Sequence, residues 1–243
     1  MSLLASLISP SMIFLPPKPP TYKTLPELFH LKVANDNSIA AIYLKNKNAK
    51  YTIIYSHGNA ADLGIEMSFL KALYQHGFSV ISYDYEGYGQ STGSASEKNT
   101  YQDIETIYHY LVADEKVSPK QIILMGHSLG AGVTTELATE KSVAGVILAS
   151  PFLSTYRVLT QIPLLLFDKY NNINKVKKID APILIIHGHK DTVVPFWQGK
   201  ALYEAANKPK TFLAIKEAGH NNLASVGQAQ YWQAIKNFTL SLH

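Results

Sequence analysis

Short apolar runs of strand length alternate with helical patterns along most of this chain, and that alternation leaves few architectures open. "SIAAIYL" (38–44) and "YTIIYSH" (51–57) read as strands, the first an outer strand and the second central. After Asp62 the run Ile65, Phe69, Leu70, Leu73 has helical spacing and stops at Gly77, and the strand "FSVISYDY" follows at once. The rhythm then repeats: a helix from about Glu97 to Ala113, strand "QIILMG", a helix beginning near Leu129, and strands "AGVILAS" and "APILIIHG". A helix from about Phe196 to Ala206, strand "TFLAIK" and a final helix carrying Tyr231, Ile235 and Phe238 complete it. Strands that are apolar throughout and separated by amphipathic helices imply an α/β chain with a mostly parallel, doubly wound sheet and helices on both faces.

A length of 243 residues with 47% hydrophobic and 16% charged residues suits one domain, 1–243, with a sizeable core. Two stretches stand out within it. Residues 1–22 are apolar and Pro-rich but lack a basic leading region and an A-x-A-like cleavage site, which argues against a secretory signal. They also fall short of the ~20 apolar residues that span a bilayer, and Pro10 would break a single amphipathic helix, so packing on the domain is favoured over a shallow membrane anchor. The second stretch, about 151–181, has no strand where connections are normally short, and is apolar in its middle, as a small helical cap insertion would be.

Charge and cysteine usage narrow the function classes. The net charge is +4, but the only arginine is Arg157 and the lysines are scattered, so a nucleic-acid partner is not expected. No cysteine means no disulfide framework, no thiolate nucleophile and no thiolate metal site, which suits a reducing compartment. A cytoplasmic location follows as the expectation, with peripheral membrane attachment as the second choice.

The chemistry centres on Gly126-His127-Ser128-Leu129-Gly130, a G-x-S-x-G pattern lying just after one expected strand and just before an expected helix. That context is the nucleophile elbow: the turn is tight enough to need small flanking residues, lifts the serine hydroxyl above the strand end, and places the Leu129 amide at a helix start where negative charge is favoured. A serine hydroxyl needs a base and a group that orients the base. Asp191, after strand "ILIIHG", and His220, after strand "TFLAIK", supply both in the chain order Ser, Asp, His. Each follows the carboxyl end of its strand, the edge where open α/β sheets build their sites. Singly, Ser128 would read as a helix N-cap and Asp191 as a turn residue; the ordered constellation favours a triad.

The second oxyanion donor is expected from "HGNAAD" after "YTIIYSH", at the backbone amide of Asn59 with Ala60 as the alternative. His57 reads as an orienting residue of that loop. His127, His187 and His189 read as packing or local hydrogen bonding, without metal-ligand spacing, so neither metal nor cofactor is expected. Asp84 is the rival carboxylate, set aside because it precedes the serine. Phe152, Leu153, Leu164, Leu165 and Phe167 of the insertion are candidates to wall an acyl pocket, or equally the underside of a cap.

"FLPPKPPTY", "SHGNAADLG", "SYDYEGYGQSTG", the elbow, "ASPFLSTYRV", "ILIIHGHKD" and "GAGHN" together resemble the α/β-hydrolase-domain serine hydrolases, in particular the branch of eukaryotic protein depalmitoylases and their bacterial relatives. The resemblance runs from about Phe14 to Asn221. It implies the α/β-hydrolase fold, Ser128 as nucleophile, Asp191 as acid, His220 as base, and the Asn59 and Leu129 amides as oxyanion donors. Two features depart from it: the depalmitoylases carry a lipidated N-terminal cysteine cluster, and they tend to have Gln where this chain has His127. The function expected is hydrolysis of a carboxylic ester or thioester of a small-molecule or lipid-like acyl substrate, or of an acylated protein. A serine peptidase of aminopeptidase type and a catalytically silent binding module are the alternatives.

Overall fold

The computed structural model describes residues 13–33, 36–159 and 169–242. The chain divides into two compact units, Met1–Gln121 and Ile122–His243.

In the first unit four strands, β1 (Leu28–Lys32), β2 (Ser38–Leu44), β3 (Thr52–Ser56) and β4 (Ser79–Tyr83), run side by side in the order β1-β2-β4-β3. β1 and β4 both pair antiparallel with β2, whereas β3 and β4 are parallel with Ile54 opposite Ile81. Among the described residues the longer helices that accompany them are α1 (Leu63–Gln75) and α2 (Glu97–His109). The strand "SIAAIYL" is therefore not the outer one. Its far side is covered by β1, a short segment of mixed exposure whose "LFHLK" lacks the clean alternation that marks a strand in sequence.

Both α1 and α2 start where a side-chain oxygen meets their free amides. Asp62 caps α1 by accepting from the Ile65 N–H at 3.1 Å, and Ser96 caps α2 by accepting from Asn99 at 3.0 Å. Leu63, Leu70 and Leu73 form the buried stripe of α1, while Ile65, which has helical spacing with them, is half exposed. Residues 13–22 lie on this same unit, as expected for the packed part of the N-terminal segment. Ile13 and Phe14 are buried, the Thr21 N–H donates to Asp62 at 2.7 Å, and the Tyr22 hydroxyl donates to Asp84. Residues 1–12 are outside the described residues.

The second unit is a four-stranded parallel sheet in sequence order: β5 (Ile122–His127), β6 (Gly145–Ala149), β7 (Ile183–Gly188) and β8 (Lys210–Ile215). Helices α3 (Leu129–Glu140), α4 (Phe196–Ala205) and α5 (Leu223–Leu240) alternate with the strands. β6 and β7 are buried along their whole length, which is why they read as continuous apolar runs rather than alternating ones. Burying such a strand contributes about 1.5–3 kcal/mol per large aliphatic side chain, and Ile147, Leu148, Ile185 and Ile186 are all fully buried. Parallel pairing also brings every carboxyl end of the unit to one edge.

The insertion is described at its two roots. A helical turn, Thr155–Leu159, opens it, and Asn172–Lys175 with Val176–Lys178 closes it. The Thr155 N–H donates to the Lys169 carbonyl at 2.9 Å and the Asn172 amide to the Phe152 carbonyl at 2.9 Å, so the roots are tied to each other. Among the described residues no helix is long and apolar enough to cross a membrane.

Candidate active site

Ser128 stands between β5 and α3 with φ 51° and ψ −115°, a backbone conformation that a side chain makes costly. Its place is that of a helix N-cap, yet its hydroxyl makes no capping bond. The turn is held by the Ser128 N–H, which donates to the Ala149 carbonyl of β6 at 3.0 Å. A side chain at Gly126 could not be accommodated, because its Cβ would fall 2.2 Å from the Gly130 carbonyl oxygen. Leu129 is the first residue of α3, where amides have no partner inside the helix. A developing oxyanion beside Ser128 would meet the positive end of that helix.

β7 and β8 deliver the other two groups. After β7 the chain turns through Asp191, and after β8 through His220, and the two loops are stitched together. The His189 N–H donates to the Ile215 carbonyl at 3.0 Å and the Lys190 N–H to the Ala218 carbonyl at 2.9 Å. Gly188 makes this approach feasible, since a Cβ there would lie 2.3 Å from the Ala218 oxygen.

The result is a linear relay. His220 Nε2 is 2.8 Å from Ser128 Oγ, and His220 Nδ1 is 2.8 Å from Asp191 Oδ2. A carboxylate only accepts, so Nδ1 carries the proton and the Nε2 lone pair faces the serine hydroxyl. Asp191 is itself fixed on both oxygens: Oδ1 accepts the Val193 and Val194 amides at 3.0 and 2.8 Å, and Oδ2 lies 3.3 Å from His187 Nε2 as well. Burial opposes its charge, but the hydrogen bonds from His187, His220 and Val194 overcome that and hold the carboxyl well below the usual carboxylate range.

The sequence of this chain and its fold match known proteins. The signature of the family described as "Serine aminopeptidase, S33" matches residues 47–173. Over 216 residues the chain is 39% identical to alpha/beta hydrolase domain-containing protein 17B of Homo sapiens, covering 87% of this chain and 74% of that protein. It is 38% identical to alpha/beta hydrolase domain-containing protein 17C of Mus musculus, covering 87% and 67%. The chain is an α/β-hydrolase. Solved structures agree on the fold of this hydrolase: an esterase of Pyrococcus furiosus superposes with TM-score 0.79 at 19% identity over 94% of this chain and 99% of that one. An alpha-beta serine hydrolase homologue from Coxiella burnetii superposes with TM-score 0.71 at 20% identity, over 89% and 99%.

His187, His127 and His189 of the hydrolase have local contacts, as the sequence suggested. His187, fully buried, donates from Nε2 to the Val194 carbonyl at 2.9 Å while leaning on Asp191. That support for the carboxylate was not legible in sequence, although a histidine four residues before the acid was its only trace. His127 donates from Nε2 to the His220 carbonyl at 2.9 Å; burial and the neighbouring His220 push its pKa down to about 4. His189 stacks on Phe196 at 4.0 Å.

Within the first unit of the hydrolase, His57 orients its loop as expected, through Nδ1 to the Gly58 carbonyl at 2.8 Å. Its Nε2 lies 3.5 Å from Asp84, and although burial works against its charge, that carboxylate leaves the pKa raised. Asp84, the rival acid, is committed to His57, to Tyr22 and to the Leu63 N–H at 2.9 Å. The Asn59 side chain binds the N-terminal segment: it accepts from the Leu15 N–H at 2.9 Å and donates to the Ile13 carbonyl.

In the insertion of the hydrolase, Phe152 and Leu153 are buried, Phe152 packing on Tyr170 with ring centroids 6.1 Å apart and Leu153 donating its N–H to Gln198 at 3.0 Å. Leu164, Leu165 and Phe167 lie outside the described residues. Among the described residues no group of three or more His, Asp or Glu side chains is arranged to hold a metal ion.

Proposed function

We propose that this hydrolase cleaves carboxylic esters or thioesters of acyl substrates through an acyl-enzyme formed on Ser128. The observation that carries the reading is the relay from Ser128 Oγ through His220 to Asp191, two contacts of 2.8 Å each. His220 takes the hydroxyl proton at Nε2 as the serine oxygen attacks the carbonyl, and Asp191 stabilises the imidazolium that forms. The oxyanion is met by the Leu129 amide; the Asn59 amide is the sequence-based assignment for the second donor. The protonated His220 then hands its proton to the departing alkoxide or thiolate, and water repeats the cycle to release the acid.

One finding favours a second reading. The matching family signature is described as a serine aminopeptidase, and the relay alone serves amides as well as esters. Amine departure is the harder step, and a peptidase of that type needs carboxylates to bind the substrate amine, of which the sequence shows no cluster. The apolar middle of the insertion favours acyl chains.

A fluorophosphonate probe tests the nucleophile: mass spectrometry should place the adduct on Ser128 and find none after Ser128→Ala. Absence of labelling on the intact protein would reject the serine mechanism. Substrate class is decided by assaying p-nitrophenyl esters from acetate to palmitate beside a palmitoyl-thioester peptide and an aminoacyl anilide. The best rate on the anilide would replace the esterase reading with the peptidase.

A further inference from the structure

The hydrolytic reading explains why the ring of His220 is held, but not why its main chain is. The His220 carbonyl accepts from two side chains, His127 Nε2 at 2.9 Å and Ser150 Oγ at 3.3 Å. They come from adjacent places: His127 is the last residue of β5, and Ser150 follows Ala149, the residue opposite His127 in β6. Ser150 is fully buried and held at φ 46°, a left-handed conformation costly for a residue with a side chain, and its N–H is fixed to the Ile186 carbonyl at 2.9 Å. Strain of this kind persists only where the surroundings enforce it. Here it aims a hydroxyl at the backbone of the general base.

His220 lies in the loop between β8 and α5. The bond at Nδ1 orients its ring and the Lys190 N–H holds the loop at Ala218, whereas two donors on rigid strand ends fix the main chain at His220 itself, from which the ring hangs. We propose that His127 and Ser150 are positioning residues that clamp the His220 carbonyl, so that Nε2 stays within hydrogen-bond reach of Ser128. The strand end that aims the nucleophile thereby also aims its base. The inference rests on the serine-hydrolase reading above, and displacements of about 1 Å at such a group are worth on the order of 100-fold in rate.

The test uses the full chain with His127→Phe, which keeps the ring volume but removes the donor, His127→Gln, whose amide can donate again, Ser150→Ala, and the double variant His127→Phe/Ser150→Ala. Steady-state kcat and KM, labelling rate by the fluorophosphonate and Tm are measured for each. His127→Phe and Ser150→Ala should each lower kcat about 10-fold with KM within about two-fold of the parent, and His127→Gln should recover most of the loss. Because the two donors share one acceptor, the double variant should lose more than the product of the single losses. Unchanged kcat in His127→Phe or Ser150→Ala with only a lower Tm would overturn the clamp, as would His127→Gln being as impaired as His127→Phe. If His127→Phe does not fold, Ser150→Ala and His127→Gln decide the matter on the same criteria. Failure of the parent protein to label at Ser128 would instead remove the hydrolytic reading, and the clamp with it.

Discussion

Ser128 carries a conflict at the scale of one residue: its backbone sits at φ 51°, where glycine is at ease, yet its side chain is the proposed nucleophile. Ser128→Gly and Ser128→Ala should both abolish turnover, but the glycine variant should be the more stable by about 1 kcal/mol, read as a higher denaturant midpoint. Equal stabilities would show that the elbow stores no backbone strain. Members of a relay act as a unit, so Ser128→Ala or His220→Ala should each lower kcat on the order of 10⁶-fold, and Asp191→Asn about 10⁴-fold by losing the productive tautomer. Asp84→Asn should behave differently. Its carboxylate supports His57, Tyr22 and the start of α1 rather than His220, so the expected loss is stability, about 1–3 kcal/mol for disturbing buried donors that share one acceptor, measured by denaturant unfolding. A larger kcat loss in Asp84→Asn than in Asp191→Asn would show that the acid has been misassigned. Ser128 and Asp191 were readable in sequence as a pair in order after their strands. His187 was not, because its bond to Asp191 depends on a turn geometry that no spacing encodes.

Elements place these residues by closing loops onto one another. β7 and β8 pair in parallel from Ile183 opposite Lys210 to Gly188 opposite Ile215, which brings the turns after both strands side by side. Most strands and helices were legible because buried parallel strands are apolar throughout and helices carry a stripe at 3.6-residue period. β1 was missed because its exposure is mixed and, as an edge strand, it pairs with β2 on one side. Ile65 fits the stripe of α1 by spacing but is 51% exposed, since spacing fixes an angle around a helix and not which side meets the sheet. The insertion bears on substrate choice: if its apolar residues receive an acyl chain, each added methylene can contribute about 0.8 kcal/mol, so kcat/KM should rise two- to four-fold per methylene across the ester series and then stop. A steady fall from acetate onward would remove the acyl-chain preference.

For the whole molecule, two depressed pKa values give stability a definite dependence on pH. His127, with its pKa pushed down to about 4 and faced by His220, His187 and Asp191, takes up a proton less readily folded than unfolded. Its contribution is therefore lost as pH falls from ~6.5 towards 4, by no more than about 3 kcal/mol, and changes no further below that. Asp191 is lowered as an acid, so its contribution is full above the ordinary carboxylate pKa of ~3.9 and is lost only below it. In Tm measured from pH 8 to 3, His127→Gln should flatten the upper window alone and Asp191→Asn the lower; parallel curves for His127→Gln and the parent would contradict this. The alternation of strands and helices, the elbow and the order Ser128, Asp191, His220 were all present in the linear chain, because apolar period and turn chemistry are local properties. The 2.8 Å contacts of His220, the second brace on Asp191, the pair of donors on the His220 carbonyl and the engagement of Asp84 elsewhere were decided only by the tertiary structure. The His187 brace depends on the geometry of one turn, and the others join strand ends, helix starts and loops distant in the chain; hydrogen bonds weaken steeply with distance and angle, so sequence separation cannot specify them.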